Sequence, residues 1–205
     1  MRINQLHLSL SLAACMMLFG CINLDPQADP TRFYILSSQT SPTTSSGDGQ
    51  GTVLGLKAIA LPAYLRSTKI PTRHGANEIT YSEIHRWGES PKSAISRVLA
   101  ENMASRSAIG KVHTVPWPDG AIHDFELHVT LLRFEGEQSG RVAMEASWDI
   151  LNPDDDSLLK NGTTVVKHLK WNSRDYGALA RALGEALGML ANDLAAAVAD
   201  LEEAP

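Results

Sequence analysis

Two neighbouring segments constrain this chain more than anything else in it. Between residues 124 and 131, Phe125, Leu127, Val129 and Leu131 alternate with Asp124, Glu126, His128 and Thr130. From residue 141 to 150, Val142, Met144, Ala146, Trp148 and Ile150 alternate with Arg141, Ala143, Glu145, Ser147 and Asp149. A period of two predicts strands with one dry face and one wet face. Glu137-Gln138-Ser139-Gly140 reads as the turn between them, Asn152 to Asp156 as the next turn, and Val165 to Trp171 as a third strand. An antiparallel meander is expected, and its dry face needs a cover.

The C-terminus supplies one. From Asp175 to Glu202, the residues Tyr176, Leu179, Leu183, Leu187, Leu190, Leu194, Val198 and Leu201 step by three or four, which predicts a long helix with one apolar stripe. Gly177, Gly184 and Gly188 weaken it and permit close packing, on a partner helix or within the core. A shorter helix starts at Ser90 as cap with Pro91 at its first position, carries Ala94, Ile95, Val98, Leu99, Asn102 and Met103 on one face, and is expected to end at Gly110. Upstream, residues 32–36 and 52–60 read as strands. Residues 69–73 and 78–82 form a hairpin around His74-Gly75-Ala76-Asn77. The expected class is α+β, a mixed or antiparallel sheet covered by two main helices.

The N-terminus reads as an address. Arg2 precedes an apolar run from Leu6 to Phe19, too short to span a bilayer before Asn23, Asp25 and Pro26 arrive. Leu18-Phe19-Gly20-Cys21 resembles the lipobox of bacterial lipoproteins, which implies cleavage of residues 1–20 and acylation of Cys21. Ile22 follows, where an Asp is the usual inner-membrane retention signal, so the resemblance implies an outer-membrane anchor facing the periplasm. Residues 21–31, with Pro26 and Pro30, form a tether. Residues 32–205 form a single domain, with a Ser/Thr/Gly-rich flexible loop at 37–51. Cys15 leaves with the signal and Cys21 is capped, so the mature protein has no thiol for disulfides, catalysis or zinc.

The remaining composition excludes more than it suggests. Eighteen Lys and Arg against 23 Asp and Glu give a net charge of −5, which argues against nucleic acid. No nucleophile elbow, phosphate loop, dinucleotide glycine pattern or His-Glu-x-x-His occurs. Among seven histidines, His123 and His128 fall on opposite faces of a strand, and His74 and His85 have no carboxylate at ligand spacing. Asp124, Glu126 and His128 share a face, read either as a solvated surface or as part of a hydrolytic site. The expectation is a non-enzymatic protein with no metal and no cofactor beyond the covalent lipid.

Further residues carry a resemblance. Arg32-Phe33-Tyr34-Ile35-Leu36, Leu61-Pro62-Ala63-Tyr64-Leu65, Ile70 with Thr72-Arg73, and Asn77-Glu78-Ile79 are joined by Arg86-Trp87-x-Glu89 and by residues 97–102. Arg133-Phe134-Glu135 and Ala146-Ser147-Trp148 follow. Together they resemble the ABC-type transport auxiliary lipoprotein family. The resemblance implies a role beside an envelope phospholipid-transport system, with a periplasmic Mce-domain protein as partner and with support of membrane integrity. The family has no catalytic residues to carry over. Tyr64, Arg86 and Trp87 are of types enriched at binding hot spots, and with Arg73 they are the candidate partner-binding residues. Tyr64 and Trp87 equally suit packing under the hairpin, and Arg73 and Arg86 suit pairing with Glu78 and Glu89. Self-assembly around a conduit would fit the role. The alternative is a periplasmic carrier holding a lipid acyl chain within its own fold.

Overall fold

In the computed structural model, residues 28–39 and 51–203 are described. Cys21, the expected signal segment and residues 40–50 of the expected loop lie outside them. Eight strands form one mixed sheet: β1 (Arg32–Tyr34), β2 (Thr52–Leu56), β3 (Lys69–His74), β4 (Glu78–Trp87), β5 (Ile109–Thr114), β6 (Phe125–Glu137), β7 (Val142–Leu151) and β8 (Leu158–Val166). Among the described residues two α-helices accompany them, α1 (Pro91–Ala104) and α2 (Tyr176–Glu202). Contacts divide the chain between Pro30 and Thr31, and the described residues from Thr31 onward belong to one unit.

The long strand β6 organises the sheet. Along one side it pairs antiparallel with β7, which pairs in turn with β8. Along the other side it pairs in parallel with β2 through residues 125–127 and with β3 through residues 136 and 137. The path then runs from β3 to β4 to the edge strand β1, and from β2 to β5. The meander is as expected, except that its third strand runs from 158 to 166 rather than from 165 to 171. The hairpin is also as expected, with His74 opposite Glu78 across the turn.

Helix α1 begins as its sequence implies, with Ser90 Oγ accepting from the Ser93 N–H. It ends at Ala104, six residues before Gly110, which instead lies inside β5. That glycine is needed for a close approach: a β-carbon there would sit 2.7 Å from the Gly51 carbonyl oxygen at the start of β2. Helix α2 is capped by Asp175, whose carboxylate accepts from the Ala178 N–H. It is long and apolar enough to cross a membrane, yet two thirds of its most apolar stretch is buried within the fold, as befits a core helix. Leu183, Leu187, Leu190, Leu194 and Val198 are all sealed from solvent. Gly184 serves the strand-to-loop segment, since a β-carbon there would meet the Ser37 carbonyl oxygen at 2.6 Å.

Candidate functional site

Glu135, fully buried near the end of β6, accepts four hydrogen bonds. Its position follows from one irregularity. Up to Leu131 the odd-numbered residues of β6 face the core, as the alternation requires. The register with β7 then slips between Leu131 and Arg133, so that Leu131 faces Ala146 and Arg133 faces Glu145. Leu132 is the extra residue and is 46% exposed. Such a bulge reverses which residues point inward. Beyond it Phe134 and Gly136 turn to the core, and Arg133, Glu135 and Glu137 line the opposite face.

Two other elements converge there. A single 3-10 turn, Ala63–Leu65, presents Tyr64. Its backbone carbonyl is held by the Tyr81 hydroxyl at 3.0 Å. Strand β3 brings Arg73, which stands beside Glu137 in the parallel register. The Glu135 Oε1 atom accepts from Arg73 Nε at 2.7 Å and from Arg133 Nε at 2.9 Å. Its Oε2 accepts from the Tyr64 hydroxyl at 2.7 Å and from the Phe134 N–H at 3.1 Å. The Arg73 guanidinium also donates to the Ala76 carbonyl at 2.9 Å, tying down the hairpin turn. The chain of charges continues outward. Arg133 bonds Glu137 at 3.0 Å, and Glu137 in turn takes Arg141 Nε at 3.0 Å and Ser139 at 3.1 Å. Beside it opens a cleft of about 510 Å³, lined by Arg73, Gly75, Glu137, Gln138, Ser139 and Arg141.

Burial alone would raise the Glu135 carboxyl, but the bonds from Arg73, Tyr64, Arg133 and the Phe134 N–H outweigh it and hold it below its ordinary value. Burial pushes the Tyr64 phenol up, and its bond to Glu135 pushes it further. A carboxylate with four donors has no free lone pair for proton abstraction. The arrangement is a brace that fixes guanidinium groups at the edge of a cleft.

The structure thus brings Tyr64 and Arg73 together and separates them from the other candidates. Arg73 pairs with Glu135, not with Glu78. Glu89 pairs with Arg97 of α1 at 2.6 Å, not with Arg86. Trp87 is 5% exposed and packs in the core, so the packing alternative describes it. Arg86 lies across β4 from Lys69 on one side and Phe33 on the other, and its Nε has no hydrogen-bond partner. Glu135 was missed as a site residue because the alternation stops being informative at the bulge. The available signal was Arg133-x-Glu135-x-Glu137, charges at strand spacing in a segment that otherwise reads as core.

The Asp124/Glu126/His128 face is not a solvated surface throughout. Glu126 is buried, with Lys57 Nζ 2.8 Å from its Oε2. His128 Nε2 stands 4.0 Å from the same oxygen, and Asp124 accepts from the Val53 N–H at 2.7 Å. Nearby, His113 and His123 share a hydrogen bond of 3.0 Å, and Trp117 meets the His123 ring edge-on. Among the described residues no group of three His, Cys, Asp or Glu is placed to hold a metal ion.

The chain belongs to the ABC-type transport auxiliary lipoprotein component family, whose model matches residues 34–195. No curated protein matches it. Crystal structures with the same fold include the following two. A protein described as uncharacterized has 16% identity and a TM-score of 0.66, covering 82% of this chain and 98% of its own. One from Xanthomonas campestris has 18% identity and a TM-score of 0.66, covering 80% and 93%. The residues that brace Glu135 come from three separate blocks of the family resemblance: Tyr64, Arg73, and Arg133 with Glu135 itself.

Proposed function

We propose that this chain is a non-enzymatic outer-membrane lipoprotein, held by lipid on Cys21 and facing the periplasm, that docks the Mce-domain conduit of an ABC-type intermembrane phospholipid transport system. Family membership across residues 34–195 is the observation that carries this reading. The cleft beside Arg73 is the docking face we assign. The brace supports that choice, since an interface side chain held in place before binding loses little freedom on binding. Arg141, 62% exposed in its side chain, stands at the outer end of the charge chain. Assembly of several copies around the conduit suits the same role.

The test is affinity capture of the full-length protein extracted from membranes, with mass spectrometry of its companions. An Mce-domain protein is expected with the parent chain and lost with Arg141→Glu, a surface change that leaves the Glu135 brace whole. Capture unaffected by Arg141→Glu and by Arg73→Lys would move the docking face elsewhere. Phospholipid without a protein companion would replace the conduit reading with that of a carrier.

A further inference from the structure

We propose that the outer face of β1 and β4 rests on the phospholipid leaflet that holds the Cys21 anchor, an inference that depends on the lipid anchor itself. Strand β1 has only three residues and lies at the end of the sheet, paired in parallel with β4 alone. Its inward positions are used by the core. Tyr34 sits beside Trp87, and Leu36, just past the strand, is 2% exposed. Its outward positions are apolar and bare: Phe33 is 68% exposed and Ile35 64%. On β4, Ile84 is 40% exposed in the stretch where the β3–β4 register slips, two residues before Arg86, the register partner of Phe33. Gly88 keeps the patch continuous, since a β-carbon there would meet Ile35 at 3.3 Å and Phe33 at 3.9 Å.

Charge flanks the patch on one side. Lys69 of β3 is the register partner of Arg86, so Lys69, Arg86 and Phe33 form a row across three strands. The exposed Glu83 bonds Lys69 at 2.7 Å and also acts electrostatically on Arg86. Bare aromatic and branched apolar side chains beside a guanidinium are the composition of a surface that lies in the interfacial region of a bilayer.

The choice of a bilayer over a second protein copy rests on connectivity. Phe33 is the second residue of the first strand after the tether, and ten residues separate Cys21 from Arg32. Fully extended, they reach at most about 35 Å. The patch is therefore confined close to the leaflet, and contact with it is an intramolecular event in which a weak interfacial affinity suffices. Contact there would also set the orientation of the body.

The test uses the full-length chain reconstituted through its anchor into vesicles of phosphatidylethanolamine and phosphatidylglycerol. Spin labels are placed singly through Phe33→Cys, Ile35→Cys and Ile84→Cys. Leu158→Cys on the far edge strand β8, 55% exposed, is the control. Expected are labels at 33, 35 and 84 reached by oxygen more readily than by an aqueous nickel complex, with the reverse at 158. Equal nickel access at all four positions, in chains that float with the vesicles, overturns the proposal and leaves the anchor standing. The same protection in detergent together with spin–spin broadening between labels at position 33 of two chains assigns the patch to a second copy and also overturns it. Chains that do not float remove the anchor reading, and this inference with it.

Discussion

Glu126 and Glu135 stand nine residues apart on β6, both nearly or wholly out of solvent, and the fold treats them in different ways. Glu135 lies beyond the bulge and collects two guanidiniums, a phenol and a backbone N–H, each at hydrogen-bond distance. Glu126 lies before the bulge and has one close cation, Lys57, whose ammonium stands 2.8 Å from Oε2 without the alignment of a hydrogen bond. Lys57 itself is 36% exposed and leans over the Trp117 ring at 5.0 Å. Burial of an acid is costly in both places, but only one place supplies enough donors to offset it. The lesson is that fraction buried does not identify the structural acid. The number and geometry of its donors do.

The largest separation between the two sites is expected on truncation. Glu135→Ala leaves Arg73 and Arg133 facing each other with nothing between them, and should cost about 3–5 kcal/mol in urea unfolding. Glu126→Ala releases a lysine that is already partly solvated, and should cost about 1 kcal/mol or less. Equal losses at the two sites would erase the distinction. Removing a single donor is the next step down. Arg73→Met leaves Glu135 with Arg133, Tyr64 and the Phe134 N–H, for an expected loss of about 2–3 kcal/mol. Tyr64→Phe removes one hydroxyl while the ring stays packed, for a loss of about 1.5 kcal/mol. A Tyr64→Phe loss as large as that of Arg73→Met would mean that the phenol, not the guanidinium, holds the carboxylate.

Much of this molecule was legible before its structure. The core face of β6 up to Leu131, the whole core face of β7, the Ser90–Pro91 start of α1 and the length of α2 all follow from spacing and caps. What was not legible has identifiable causes. A one-residue bulge shifts the phase of β6 without changing its composition, so Phe134 and Gly136 face the core where the earlier phase would place Arg133, Glu135 and Glu137. Gly110 looks like a helix terminator because a lone glycine after an apolar run usually is one. Its actual use, letting β2 and β5 start close together, requires a partner strand nearly sixty residues upstream. The candidate site divides in the same way. Tyr64 and Arg73 were singled out by type, but their common partner lies more than sixty residues further along, where the resemblance includes Arg133-Phe134-Glu135 without joining it to them and the charge spacing Arg133-x-Glu135-x-Glu137 is the one further signal.

Acid sharpens the comparison further, and its sign can be worked out. The Glu135 carboxyl titrates below its unfolded value, because its donors outweigh the effect of burial. Its contribution to stability is therefore complete above the unfolded carboxylate range, near pH 4.3, and is lost as pH falls through the lower folded value. The neutral Glu135→Gln variant cannot make that contribution at any pH. The stability gap between parent and Glu135→Gln should be full at pH 7 and should close as pH drops below about 4, because a protonated glutamic acid and a glutamine present nearly the same group to Arg73 and Arg133. Urea midpoints measured at half-unit steps from pH 7 to pH 3 would trace the closure. A gap that stays constant across that range would mean that Glu135 contributes through shape and not through charge, and that the brace holds Arg73 by packing alone.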